Sequence, residues 1–167
     1  MRRRFGRDAA YIHLFCIFAA LMECQKMKIY IGSDHAGVGL KASVKERFGD
    51  RFQFVDVGAF TQESVDYPDF AHSVAENVSD DSASSGILIC GTGNGMAITA
   101  NKHAGIRAAL CWSPEIAALA KQHNNANIIV LPARFISTET ALSTLEAFFS
   151  AHFEGGRHQR RIDKINL

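Results

Sequence analysis

The chain has 167 residues, 47% of them apolar, and a formal net charge of +1. That length and apolar share fit one ordinary globular domain with a full core. The near-zero charge gives no electrostatic reason to expect nucleic acid or an acidic membrane surface as partner.

Residues 1–26 differ in character from the rest of the chain. Arg2, Arg3, Arg4 and Arg7 precede an apolar run from Tyr11 to Met22, which imitates the basic start and short apolar core of a secretory signal. His13 interrupts the run, and no small-residue cleavage site comes after it. The run is also short for a membrane span. The segment is read as an extension outside the fold, of the kind an upstream start codon adds, with an export or organelle signal as the alternative. The domain proper is expected over 27–167. The cysteines, Cys16, Cys24, Cys90 and Cys111, form no C-x-x-C pair, so a reducing cytoplasm is expected and a disulfide framework is not.

From Met27 onward, strand and helix patterns alternate. Lys28 to Gly32 reads as the first strand, and Gly39 to Phe48 as a helix with Leu40, Val44 and Phe48 at four-residue spacing. Phe52 to Val57 is the second strand. Asp69 to Val78 is the second helix, opened by Tyr67-Pro68-Asp69, where proline suits a first turn. After the polar loop Ser82 to Ser85 comes the third strand, Gly86 to Cys90, then a helix over Gly95 to Lys102. Ile106 to Cys111 is the fourth strand. Ser113-Pro114-Glu115 carries cap, proline and acid in helix-starting order, so the next helix runs to about Gln122. Ile128 to Leu131 is the fifth strand, and Ser137 or Thr138 caps a helix to about His152. The basic tail, Phe153 to Leu167, is read as extended and then helical.

This alternation predicts an α/β fold: a three-layer α/β/α sandwich around a five-stranded parallel sheet, Rossmann-like. Ligands of such sheets bind at the carboxyl ends of the strands. Polar residues directly after strand ends are Ser33-Asp34-His35, Cys90 with its glycine loop, and Arg134; Gln122-His123-Asn124-Asn125 at a helix end is assigned to the same region. The run Ile87 to Cys90 reads as a strand buried on both faces. Behind it, Gly91, Gly93 and Gly95 alternate with Thr92 and Asn94. Such a loop turns main-chain N–H groups inward, and the helix start adds partial positive charge. The result is an anion cradle with a thiol at its lip.

The loop is neither a dinucleotide fingerprint, because Met96 stands where the third glycine belongs, nor a P-loop, which needs Gly-Lys-Ser/Thr. No cofactor is expected, and no metal, since H-x-E and H-E-x-x-H spacings are absent. Each candidate also has a plainer structural role. A strand cysteine is ordinarily core, yet Cys90 borders donors able to hold a thiolate near neutral pH with a modest downward shift from ~8.5. Cys111 ends a strand before Trp112-Ser113-Pro114, which builds no cradle, and is read as structural. Asp34 suits a turn cap, His123 a helix-dipole partner, and Asn124 or Asn125 a C-cap. Arg157 and Arg161, four apart, share a helical face that suits a phosphate.

Assembled, these residues resemble the type B ribose-5-phosphate isomerases, a family that includes allose-6-phosphate and galactose-6-phosphate isomerases. The segments that carry the resemblance are Ser33-Asp34-His35-Ala36-Gly37, Asp66-Tyr67-Pro68, Cys90 through Met96, Ala100-Asn101-Lys102, His123-Asn124, Gly155-Gly156-Arg157-His158 and Arg161. The resemblance runs from Met27 to the C-terminus. It implies a metal-free aldose–ketose isomerase that interconverts ribose 5-phosphate and ribulose 5-phosphate through an enediolate. By it, Cys90 is the proton-moving base and His123 assists ring opening, with Thr92 nearby. Gly91, Gly93, Asn94 and Gly95 form the anion hole. Asp34 and Tyr67 contact the sugar, His35, Arg134, Arg157 and Arg161 contact the phosphate, and Asn124 is another substrate contact.

The resemblance further implies a homodimer or homotetramer with sites at subunit interfaces, some arginines coming from the partner. Met96 stands where some relatives place a glutamate base, so the cysteine version applies. Galactose-6-phosphate isomerase uses two different subunits, whereas this chain carries every element of the site. Pro132 replaces a glycine usual before the Ala133-Arg134 position, which bears on where Arg134 sits and which sugar length fits. Allose 6-phosphate, galactose 6-phosphate or a four-carbon sugar phosphate are the alternative substrates. A non-catalytic sugar-phosphate or nucleotide-binding module is the alternative of a different class.

Overall fold

A computed structural model gives the fold and describes residues 26–165. Cys16, Cys24 and the reading of the N-terminal extension lie outside the described residues. The elements are β1 (Met27–Ser33), a short 3-10 turn (His35–Gly37), α1 (Val38–Phe48), β2 (Phe52–Gly58), α2 (Tyr67–Asp80) and β3 (Ser85–Cys90). They continue with α3 (Asn94–Ala100), β4 (Ala108–Leu110), α4 (Pro114–Asn124), β5 (Ile128–Pro132), α5 (Thr138–Ser150) and α6 (Arg157–Ile162).

All strand pairs are parallel, in the order β2-β1-β3-β5-β4. Alternation along each strand divides the core. Ile29, Ile31, Ile87, Ile89, Ile129 and Leu131 face one layer with Val44, Ala117, Leu145 and Phe148 of α1, α4 and α5. Tyr30, Leu88, Cys90, Ile128 and Val130 face the other, with Val74, Met96 and Ala100 of α2 and α3. Every residue of β3 and β5 is buried, which explains their unbroken apolar runs. Full burial of each such isoleucine or leucine contributes about 1.5–3 kcal/mol. Among the described residues no helix is long and apolar enough to cross a membrane.

Some element boundaries differ from the sequence expectation, and the cap left open for α5 is fixed. Helix α2 starts at Tyr67 rather than Asp69, with Pro68 in its first turn. Strand β4 is half the expected length because the Arg107 N–H is taken by Asn127 Oδ1 at 2.8 Å instead of a ladder partner. Ser137 rather than Thr138 is the cap of α5, its hydroxyl accepting from the Thr140 N–H at 3.1 Å.

Parallel strands joined by helices place all strand carboxyl ends on one edge of the sheet. Helices α1 to α5 begin near that edge and run back to the amino edge. The chain leaves β1 toward β2 on one side, while β3 lies on the other. The crevice between the ends of β1 and β3 is thus the topological switch point. Asp34 and Cys90 flank it.

Candidate active site

At the carboxyl edge, Asp34 is locked in place. Its Oδ1 accepts from the N–H groups of Ala36 and Gly37 at 2.9 and 3.1 Å, and its Oδ2 accepts from the Gly91 N–H at 3.4 Å. The aspartate therefore caps the 3-10 turn and also reaches the glycine loop. His35 is next in the chain, half-buried, with a buried Nδ1 that has no protein partner. Cys90 ends β3, 5% exposed, and its Sγ accepts the Gly93 N–H at 3.1 Å.

The loop needs its glycines for two separate reasons. Gly93 has φ +78°, and a Cβ there would run into Leu110 Cδ1. A Cβ on Gly95 would lie 2.5 Å from Cζ of Tyr67, whose ring covers that position. Arg134 lies over Gly91: a Cβ on that glycine would meet its Nε at 3.3 Å. Pro132 pairs with Cys90 across the sheet, and Arg134 N–H donates to the Gly91 carbonyl at 3.1 Å, so the proline leaves Arg134 at the loop. Thr92 and Asn94 are exposed on the outer side, the Thr92 Oγ1 accepting weakly from the Asn94 N–H at 3.4 Å.

The expected downward shift of the Cys90 thiol is corrected by its surroundings. Burial pushes the thiol above its ordinary pKa, and the Asp34 carboxylate adds to this; the N–H groups of Gly93, Met96 and Thr92 oppose it without winning. Burial and the Asp34 carboxylate together favour the protonated thiol at this edge. Cys111 is pushed up to about 12 by burial alone, as a structural cysteine should be.

A buried polar cluster supports this edge from below. Lys41, 3% exposed, donates to Asp56 Oδ1 and to the Ala59 carbonyl, both at 2.7 Å. Lys45 donates to Asp56 Oδ2 at 2.7 Å, and the Gly58 N–H to Asp56 Oδ1 at 3.0 Å. Burial raises the Asp56 carboxyl, but the bonds from Lys41 and Lys45 outweigh it and hold the group below its usual range. The Ala59 N–H then donates to the Ser33 carbonyl at 2.7 Å, tying the end of β2 to the residue before Asp34.

His123 and Asn124 do not join this group. They end α4, four residues before β5 begins, and so lie at the amino edge of the sheet. Five residues of strand at about 3.3 Å each put roughly 17 Å between the two edges. The expectation that the end of this helix sits at the carboxyl edge is thereby corrected: a helix that returns to a parallel strand must finish at the opposite edge. Arg157 and Arg161, both exposed on α6, share the amino edge, since the Glu154 N–H donates to the Gln122 carbonyl in the last turn of α4 at 3.0 Å.

The contacts of three amino-edge residues escape a reading of the sequence. Arg107 Nε donates to the carbonyls of Asn124 and Asn125 at 3.1 and 3.0 Å, fixing the end of α4. The His158 ring stacks on His123, centroids 4.2 Å apart and planes 3° from parallel. Glu154 Oε2 is 3.8 Å from His123 Nε2 and 3.6 Å from His158 Nε2. These three groups have the composition of a metal site. The lone pairs of parallel rings lie in parallel planes and do not converge on one ion, so the arrangement is a stack. A cavity of about 810 Å³ between α1 and α5, lined by Phe48 and Leu142 among others, touches none of the residues of either edge.

A family model described as Ribose/Galactose Isomerase matches residues 29–165. The probable ribose-5-phosphate isomerase B of Mycoplasma genitalium is 48% identical over 140 residues, covering 82% of this chain and 92% of that protein. A crystal structure of a ribose 5-phosphate isomerase from Thermotoga maritima superposes with a TM-score of 0.81 at 51% identity, over 84% of this chain and 97% of that one. The Mycoplasma genitalium ribose-5-phosphate isomerase B solved with bound ribulose-5-phosphate superposes with a TM-score of 0.80 at 47% identity, over 83% and 93% of the two chains.

Proposed function

This chain belongs to the ribose/galactose isomerase family, and from that premise we propose that it interconverts ribose 5-phosphate and ribulose 5-phosphate in a site completed by two copies of the chain. The observation that carries the reading is the Cys90 thiol, held by the Gly93 N–H at 3.1 Å at the switch-point crevice. Asp34, Tyr67 and Arg134 stand around it. The separation of the two edges supports the two-copy arrangement. One copy supplies Cys90, Asp34, His35, Tyr67, Arg134 and the glycine loop; the other supplies His123, Asn124, Arg157 and Arg161.

In the reaction, the phosphate is held by His35, Arg134 and the partner copy's arginines, and His123 assists opening of the furanose. Asp34 and Tyr67 orient the open chain. Cys90 first gives up its thiol proton to solvent, and the thiolate so formed removes the proton from C2. The C2–H electron pair becomes the C1–C2 double bond, and the carbonyl pair moves onto O1. The Gly93, Met96 and Thr92 N–H groups serve the sulfur and the Gly91 N–H serves Asp34, so the Gly95 N–H, with the Asn94 N–H that is only weakly held by Thr92 Oγ1, supplies the donors for this oxygen. Each such donor contributes on the order of 3 kcal/mol to the transition state. Transfer of the O2 proton to O1 and return of the thiol proton to C1 complete the ketose, with no net oxidation.

The test is turnover by the purified protein on four-, five- and six-carbon aldose phosphates, with Cys90→Ala in parallel. Ribose 5-phosphate should be the preferred substrate, and the variant should fold but not turn over. Preference for another sugar phosphate would reassign the substrate. Full activity in Cys90→Ala would remove the base.

A further inference from the structure

The tail of the chain does more than carry two arginines. Gly155 and Gly156 both have positive φ, +65° and +56°, a conformation that side chains rarely adopt. This double turn reverses the chain after Glu154, and the His158 N–H closes it on the Gly155 carbonyl at 3.0 Å. The turn lays the His158 ring flat on His123. His158 is 7% exposed, while His123 keeps about a third of its side-chain surface open. One face of His123 is therefore covered and the rest remains accessible.

We infer that His158 and Glu154 are positioning residues that fix the ring of His123 for proton exchange at Nδ1. The inference rests on the role given to His123 under the proposed function. The Arg157 Nε–H donates to His158 Nε2 at 3.3 Å, so His158 is a neutral ring with its proton on Nδ1. Burial, and after it the charges of His123 and Arg157, push the His158 imidazole below its ordinary pKa, against the opposing pull of Glu154; Arg161 adds to the downward push. A neutral flat ring is a platform that does not repel a charge forming on His123. Because His158 Nε2 is an acceptor, it has no proton to offer Glu154. The Glu154 carboxylate is left to His123 Nε2, 3.8 Å away in the substrate-free chain, a separation of the kind that tightens when substrate binds. A proton held at Nε2 leaves Nδ1 as the nitrogen that meets the sugar. The Glu154 main chain is itself pinned to α4 through the Gln122 carbonyl, so platform and anchor move with the helix that carries His123.

The experiment compares kcat and KM for ribose 5-phosphate in the full-length wild type, His123→Ala, His158→Ala, His158→Phe, Glu154→Gln and the double variant His123→Ala/His158→Ala, with urea midpoints for each. Loss of ring alignment costs on the order of tenfold or more. His158→Ala should lower kcat by about that factor with KM within about twofold, because an interaction made at the transition state is lost rather than binding. His158→Phe, which keeps a flat neutral ring, should recover most of the loss. Glu154→Gln should reduce kcat in the same way. On the His123→Ala background, His158→Ala should cost nothing further, since its effect passes through His123. Wild-type kcat in both His158→Ala and Glu154→Gln overturns the inference, as does a further loss in the double variant. So does failure of phenylalanine to rescue at an unchanged urea midpoint. If His158→Ala fails to fold, His158→Phe and Glu154→Gln decide alone. Wild-type kcat in His123→Ala would instead locate the failure in the role of His123 itself.

Discussion

Replacing Gly93 by alanine should be the most damaging single methyl addition in the loop. Two costs combine. The left-handed φ of +78° costs a residue with a Cβ about 1–2 kcal/mol. The new methyl also drives into Leu110 Cδ1, and forcing a packed neighbour aside costs about 1–3 kcal/mol. The sum, about 2–5 kcal/mol, is a large part of the roughly 5–15 kcal/mol that holds an ordinary domain together. With a mid-range m-value of about 2 kcal/mol/M, the urea midpoint should drop by roughly 1–2.5 M. Adding Leu110→Ala should remove the steric cost but leave the φ cost, so the double variant should show favourable coupling of about 1–3 kcal/mol in a mutant cycle. By contrast, Gly95→Ala meets the half-exposed Tyr67, which is free to swing aside, and should lower the midpoint less. A wild-type midpoint in Gly93→Ala, or strictly additive effects with Leu110→Ala, would refute the reasoning.

The polar groups at this edge give two further outcomes. Lys41→Met should destabilise by about 3–5 kcal/mol, since it strips a buried partner from Asp56 and from the Ala59 carbonyl; a urea midpoint within error of wild type would contradict it. The Asp56 carboxyl sits below its unfolded range, so its contribution is present above that range and is lost as pH falls through the folded value. Alkylation of Cys90 by iodoacetamide in the substrate-free protein, tracked at its own peptide by mass spectrometry, should rise with pH to a midpoint above the ordinary thiol range. Asp34→Asn, which keeps the cap but not the charge, should move that midpoint down. A midpoint at or below the ordinary range would show that the thiol is not stored protonated.

The layered architecture is legible in the sequence because the code for it is local. Unbroken apolar runs such as Ile87 to Cys90 belong to doubly covered strands, and Ser113-Pro114-Glu115 is a helix start wherever it occurs. The carboxyl-edge half of the candidate site is legible for the same reason: Asp34, Cys90, Gly93 and Arg134 lie at or just past strand ends, and strand direction decides their edge. His123 is not placed by such a rule, because the edge a residue occupies depends on which way its helix runs, a property of the whole crossover. The direction of the Cys90 shift is also hidden. Donors from the loop are visible in the sequence, but the burial and the Asp34 charge that outweigh them come from packing. Lys41 and Asp56 are fifteen residues apart on different elements, and no spacing rule joins them. The Glu154–His158–His123 group needs the Gly155-Gly156 turn to exist first.

The proposed function requires two distant edges of the sheet to become one site when two copies of the chain meet. Subunit mixing measures that directly. Cys90→Ala and His123→Ala, each severely impaired alone, are combined, dissociated mildly and allowed to reassociate. Random exchange makes about half of the dimers mixed, and each mixed dimer holds one intact site of two, so about a quarter of wild-type turnover should return. A mixture that exchanges subunits and stays inactive would place Cys90 and His123 in the site of a single copy, contrary to the account.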